Sequence, residues 1–108
     1  MGENKMSDMA TSWASDLHER LKDREYAVGF LEANLEEYER DGDLGAFLVA
    51  IRHVAQAQGK IKKLAEEMGV DRSTVYRALS KEGNPTINTL NAALRSLGFK
   101  VSVELVPA

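Results

Sequence analysis

The sequence predicts an all-α fold, a small helical bundle followed by a single C-terminal β-strand. Three observations support this prediction. Apolar residues recur at helical spacing in several segments of the 108-residue chain. Glycines or clusters of turn-forming residues separate these segments. Strict alternation of apolar and polar residues is clearest near the C-terminus.

The chain is long enough for one domain with a modest core. Within it we expect four segments. Residues 1–15 form a polar arm, either a mobile native segment or a remnant of cloning. Residues 16–42 form an acidic region, residues 43–98 contain the main helical domain, and residues 99–108 contain the strand.

The acidic region predicts one clear amphipathic helix. The charged stretch from Asp16 to Arg24 has two interpretations, a turn or two of helix or an extended lead-in. From Glu25 to Gly42 the apolar residues follow helical spacing while glutamates cover the other face. The apolar stripe expected to face the core contains Tyr26, Ala27, Phe30, Leu31, Leu35 and Tyr38.

The next helix is predicted to begin after Asp43, a suitable N-cap residue, and to end near Gly59. Its apolar residues again recur at helical spacing, so that they form one stripe for burial. That stripe contains Leu44, Phe47, Leu48, Ile51, Val54 and Ala55.

The stretch from Ile61 to Leu79 carries the most specific pattern in the chain. Ala65 lies four residues before Gly69, and Val75 lies six residues after it. A small residue lets two helices cross closely, and a glycine with a left-handed backbone ends the first helix at little steric cost. This spacing is typical of the DNA-reading helix-turn-helix, and an ordinary helical hairpin is the alternative interpretation.

Asp71 is the predicted N-cap of the second helix of this pair. The residues predicted to fill the remaining inward positions are Leu64, Met68, Val70, Ala78 and Leu79. The outward face is basic and hydroxylated, which suits phosphates and base edges. The candidate DNA-binding residues are Lys62, Lys63, Arg72, Ser73, Thr74 and Arg77.

The C-terminal part predicts one more helix, capped by Thr86 after Pro85 and ended by Gly98. Its apolar stripe contains Ile87, Leu90, Ala93, Leu94 and Leu97. Residues 99–106 alternate between apolar and polar, so we expect a strand there.

A lone strand leaves its backbone groups unpaired, so we expect antiparallel pairing in a homodimer. The alternatives are an extended tail on its own domain or a partner strand from a different protein. The candidate dimerisation residues are Phe99, Val101, Val103 and Leu105.

Charge is distributed unevenly along the chain, whose net charge is −3. Residues 1–51 contain five lysines and arginines against twelve acidic residues, whereas residues 52–100 contain nine against four. Because salt confines the reach of a charge to about 10 Å, local charge decides whether a surface attracts nucleic acid. The basic half contains the predicted helix-turn-helix.

Several classes of function are not expected. The chain has no cysteine, and His18 and His53 are isolated, so neither a metal nor another cofactor is predicted. No apolar run approaches the length of a membrane span and no leader opens the chain, so we expect a cytoplasmic protein without a membrane partner. No nucleophile or phosphate-binding motif indicates an enzyme.

The chain resembles the addiction-module antidote proteins, small bacterial antitoxins with a Cro/repressor helix-turn-helix. The resemblance covers about residues 16–106. It rests on FLEANLEE at 30–37, LAEEMGVDRSTVYRALS at 64–80, EGNPT at 82–86 and LRSLGFKVSV at 94–103. It implies a small helical bundle of the lambda-repressor-like helix-turn-helix type, with the DNA contacts at the candidate positions named above.

The resemblance also implies partners. Such an antitoxin neutralises a small basic toxin, usually similar to an endoribonuclease, and represses their shared promoter by binding double-stranded DNA at a palindromic operator. Residues 16–42 are then the candidate toxin-binding region, because their acidity attracts a basic partner. The alternative interpretation is that these acidic residues only form a solvent-exposed helix face.

Two points qualify the resemblance. Relatives often carry Ser or Thr followed by Gln where this chain has Lys62 and Lys63. We therefore expect its affinity for DNA to depend more on non-specific electrostatic attraction. The alternative function is a stand-alone phage-type or housekeeping repressor with the same fold.

Overall fold

A computed structural model describes residues 5–107, which form six helices and no strand. The helices are α1 (Lys5–Arg20), α2 (Arg24–Asp41), α3 (Leu44–Ala57), α4 (Ile61–Met68), α5 (Arg72–Ala78) and α6 (Ile87–Ser96). Side chains are described for residues 13–107. Residues 1–4 of the expected arm and residue 108 of the expected strand segment lie outside the described residues.

The N-terminal part of the described chain is helical almost throughout. The stretch from Asp16 to Arg24 is helix as far as Arg20, and α1 reaches back to Lys5 through residues in which the sequence showed no pattern. A short turn follows, and the Asp23 carboxylate accepts a hydrogen bond from the Glu25 amide over 3.1 Å, which caps α2.

The helix predicted from Glu25 to Gly42 is confirmed, because α2 ends where Gly42 adopts a φ of 73°. Only part of the predicted apolar stripe of this helix is buried. Ala27 and Leu31 are buried in α2 and Phe30 is half-buried, whereas Tyr26, Leu35 and Tyr38 are 36–40% exposed.

The core is centred on α3, which contacts α1, α2 and α4. Its predicted stripe is buried from Phe47 to Ala55, and Leu44 is half-buried at the start. Asp43 occupies the N-cap position without a side-chain capping bond, and its amide instead donates to Oδ1 of Asp41 over 2.8 Å.

Gly45 brings the first turn of α3 into direct backbone contact with the loop after α5. A Cβ atom at this position would collide with the backbone of Lys81, so a side chain cannot be accommodated without a shift of the backbone. The contact fixes the position of that loop relative to the core.

The C-terminal helix α6 packs on α4. The Thr86 hydroxyl oxygen accepts a hydrogen bond from the Thr89 amide over 3.1 Å, which confirms the predicted cap. Ala93, Leu94 and Leu97 of the predicted stripe are buried and Leu90 is half-buried. Ile87 departs from the stripe, because at the first position of the helix it is 66% exposed.

The predicted C-terminal strand is wrong for the described residues, which contain no strand. Residues 99–107 carry no regular secondary structure, and from Lys100 onward they are exposed. Alternation of apolar and polar residues describes which way side chains would point along an extended segment. It does not provide the second strand that a ladder needs, and the rest of the described chain is helical.

Candidate functional site

The candidate site is built on α4 and α5, which are joined by a short turn. Gly69 ends α4 with a φ of 70°, a conformation that favours glycine. The Val70 amide donates to the carbonyl oxygen of Ala65 over 3.0 Å, and the Gly69 amide donates to that of Glu66 over 3.2 Å. These bonds satisfy the last carbonyl groups of α4 and set the direction of the chain into α5.

The inward residues of this pair pack as their spacing predicted. Ala65 is 6% exposed, and Val75 is fully buried on the inner side of α5. Of the other residues predicted to point inward, Leu64 and Leu79 are buried, and Met68, Val70 and Ala78 are half-buried. The orientation of α5 relative to α4 therefore rests on a small alanine, a corner valine and the leucines beside them.

A chain of hydrogen bonds runs along the start of α5. The Asp71 carboxylate accepts a hydrogen bond from the Thr74 amide over 2.8 Å, which confirms Asp71 as the N-cap. Hydrogen bonds from the Thr74 hydroxyl and amide hold the pKa of the Asp71 carboxyl below its usual range, and the charge of Arg77 acts in the same direction. Nη2 of Arg77 in turn donates to the Thr74 hydroxyl oxygen over 3.1 Å.

The six residues predicted to contact DNA lie on these two helices. Lys62 and Lys63 are exposed in the first turn of α4. Arg72, Ser73 and Arg77 are exposed on α5, while Thr74 is half-buried and hydrogen-bonded to both Asp71 and Arg77.

Tyr76 is a residue of this surface that the sequence reasoning missed. Its side chain is 38% exposed, and its hydroxyl oxygen accepts a hydrogen bond from Nε2 of Gln56 over 3.4 Å. Tyr76 lies four residues after Arg72 and three after Ser73, so it lies on the same side of α5. That spacing is the signal that could have identified it.

The acidic region, residues 16–42, covers the end of α1 and the whole of α2. Leu21, Ala27 and Leu31 attach it to the core, and most of its other side chains are exposed. Arg24, the first residue of α2, donates a hydrogen bond from Nη2 to the Gly98 carbonyl oxygen over 3.3 Å. The region is thereby joined to the end of α6.

The four residues predicted for dimerisation lie in two different environments. Phe99 is half-buried against the protein's own core, and its amide donates to the Leu94 carbonyl oxygen over 2.8 Å. Val101, Val103 and Leu105 are exposed.

The two histidines lie on neighbouring helices, His18 on α1 and His53 on α3. Burial lowers the pKa of His53, and the charges of Arg52 and His18 add to that effect. Among the residues whose side chains are described, no group of three or more potential ligands is arranged to hold a metal ion. None of the helices within residues 5–107 is long and apolar enough to cross a membrane.

Comparison with known proteins identifies the family. Residues 12–105 match a family model described as "Probable addiction module antidote protein". The chain belongs to this family. The antidote chain is also 28% identical over 91 residues to a protein of Haemophilus influenzae (strain ATCC 51907 / DSM 11121 / KW20 / Rd) described as "Uncharacterized protein". That similarity covers 80% of this chain and 93% of the Haemophilus protein. No solved structure matches the antidote chain.

Proposed function

We propose that this antidote protein neutralises a small basic toxin of the endoribonuclease type and represses its own operon by binding DNA through α4 and α5. Membership of the antidote family supports the toxin partner. The observation that carries the DNA-binding part is the geometry of the α4–α5 pair. A buried alanine, a glycine with positive φ and a buried valine fix the two helices and leave Arg72, Ser73 and Arg77 exposed.

We propose that α4 and α5 act as a helix-turn-helix, with α5 in the major groove. The first turn of α5 presents Arg72 and Ser73 for base edges, while Arg77 and the lysines of α4 suit phosphate oxygens. Lys62 and Lys63 add charge without fixed geometry, so they contribute more to general affinity than to sequence choice.

A palindromic operator calls for two copies of the reading helix related by a two-fold axis. We therefore propose that the antidote protein binds its operator as a homodimer. We assign it no catalytic activity, so that neutralisation depends on binding the toxin.

The DNA-binding proposal is tested with the duplex that lies immediately upstream of the protein's own coding region. Fluorescence anisotropy measures its affinity for the protein at several salt concentrations, beside a scrambled duplex of equal length. We expect the upstream duplex to bind at least about a thousandfold more tightly, the low end for specific recognition. Equal affinity for both duplexes would contradict sequence-specific repression.

The toxin-binding proposal is tested by co-expression with the small basic protein encoded beside this chain. We expect the two proteins to co-purify and the antidote protein to relieve the growth arrest caused by its neighbour. Specific DNA binding without any such partner would favour a stand-alone repressor instead.

A further inference from the structure

The second helix carries more apolar surface than the core uses. Leu35 and Tyr38 follow the buried Leu31 by four and seven residues, so the three lie on the same side of α2. Leu31 is 5% exposed, whereas Leu35 is 40% and Tyr38 is 36% exposed. The apolar stripe of α2 thus continues past the part that packs against the core.

Carboxylates border this exposed part of the stripe. Glu32 and Glu39 lie seven residues apart in one row of α2, next to Leu35. Both are exposed. We call the surface formed by Glu32, Leu35, Tyr38 and Glu39 the α2 face.

The carboxylates of the α2 face are not neutralised by the arginines of their own helix. Arg40 pairs with Glu37, on another side of α2, and Arg24 donates to the Gly98 carbonyl oxygen. Within residues 13–107, Glu32 and Glu39 form no ion pair. Arg95 and Lys100, two cations from other segments, line a cleft beside Val28, nearer the other end of the helix.

The charge of the α2 face determines which partner suits it. A second copy docking through the same face would bring glutamates against glutamates, and DNA phosphates would be repelled. A basic protein that offers apolar side chains matches both components, since its cations pair with the carboxylates while Leu35 and Tyr38 lose contact with water.

We propose that the α2 face is the surface on which the antidote protein binds its basic toxin. This inference rests on the proposed toxin neutralisation and adds the location and chemistry of the contact. Leu35 and Tyr38 form its apolar centre, and Glu32 and Glu39 form its charged rim. The surface of α4 and α5 that we assign to DNA lies on other helices.

The test uses the full-length chain and the small basic protein encoded beside it, with affinity measured by biolayer interferometry. Leu35→Ala is expected to weaken the complex about tenfold, because an apolar anchor at the centre of an interface carries much of its affinity. Glu39→Lys is expected to weaken it by at least about tenfold, since it places like charges against each other.

Glu37→Lys is the matched control. It makes the same change in net charge two residues away, on another side of the helix. We expect it to change affinity by less than about twofold, as is typical of charges outside an interface. Circular dichroism of each variant checks that α2 remains helical, and Leu35→Ala should fold because its side chain is only partly buried.

Three results would overturn the inference. Equal loss of affinity in Glu37→Lys and Glu39→Lys would mean that only the overall charge of α2 acts. Unchanged affinity in both Leu35→Ala and Glu39→Lys, with a stable parent complex, would place the toxin on another surface. A dimer of the chain alone that dissociates in Leu35→Ala would assign the α2 face to a second copy.

The same measurements distinguish a failure of the α2 face as the contact surface from a failure of the proposed toxin neutralisation. Absence of any complex between the parent chain and its neighbour would overturn the proposed neutralisation, and the inference with it. A parent complex that tolerates the α2 variants would overturn the inference alone.

Discussion

The guanidinium of Arg77 donates a hydrogen bond to the Thr74 hydroxyl oxygen, 3.1 Å away and one turn earlier on α5. Thr74 in turn donates its amide to the Asp71 carboxylate. A residue proposed to bind a phosphate is thus oriented before DNA arrives, which lowers the entropic cost of ordering its side chain. Arg72 has no side-chain hydrogen bond or ion pair among the described residues, so its side chain is less constrained than that of Arg77.

We expect Arg72→Ala and Arg77→Ala to affect DNA binding differently. Loss of a bidentate base contact at Arg72 should cost about 1–3 kcal/mol and relax sequence preference. Loss of a phosphate contact at Arg77 should weaken all duplexes alike and flatten the salt dependence. Operator titrations at several salt concentrations measure both effects. Arg40→Ala on α2 is the control, and unchanged affinity in both α5 variants would refute the assignment of α5.

Ala65→Leu should impair DNA binding without altering any exposed side chain of α5. Ala65 is 6% exposed, so a larger side chain would overfill the space between the helices at a cost of about 1–3 kcal/mol. Thermal unfolding and operator affinity are measured together. Ala33→Leu, at an exposed position of α2, is the control. If Ala65→Leu unfolds and binds like the parent, close approach at this position is not required.

Gly69→Ala and Gly29→Ala should have effects of opposite sign on stability. Gly69 has a φ of 70°, a conformation that costs a residue with a Cβ about 1–2 kcal/mol. Gly29 lies within α2, and a Cβ there would meet no atom within 4 Å. Alanine should stabilise that helix by about 0.5–1 kcal/mol. Chemical denaturation measures both differences, and a stabilised Gly69→Ala would contradict the role of the turn.

The free energy of unfolding should fall as the pH drops through the range in which His53 titrates. Burial lowers the pKa of His53 in the folded protein, whereas in the unfolded chain the side chain takes up a proton near pH 6.5. The unfolded state therefore binds more protons between these two pKa values, and stability is lost as the pH falls from about 7 through that window.

His53→Gln should reduce this pH dependence, as measured by melting temperatures at pH 7.5 and pH 5.5. His18→Gln removes only one of the smaller causes of the shift and should have a weaker effect. A variant at position 53 whose melting temperature depends on pH as strongly as that of the parent would exclude His53 as the source.

Local sequence signals predicted the boundaries of α2 to α6 well, whereas they left α1 undecided. Asp71 and Thr86 form their capping bonds within three residues, and the positive φ of Gly42 and Gly69 depends on the backbone at those positions alone. The residues of the α4–α5 pair were also predictable, because a fixed spacing decides which of them point inward.

The structure differs from the sequence-based predictions where a residue's environment depends on distant parts of the chain or on other molecules. Apolar spacing in α2 identified its stripe but not the point at which the core ends, so Leu35 and Tyr38 were expected to be buried. The alternation in residues 99–105 was real, yet a strand requires a second strand that the described chain does not contain. The hydrogen bond between Gln56 and Tyr76 joins residues 20 apart in sequence, on α3 and α5, which no local pattern indicates.

The contact between Gly45 and the backbone of Lys81 has a consequence for how this protein can diverge. The position of α5 depends on that contact, on the buried Val75 and on the Asp71 cap, and none of these involves the side chains of Arg72 or Ser73. Mutations at these two exposed positions can therefore accumulate with little penalty to folding. If α5 reads DNA as proposed, descendants of one ancestral chain could in this way come to recognise different operators and avoid repressing each other's genes.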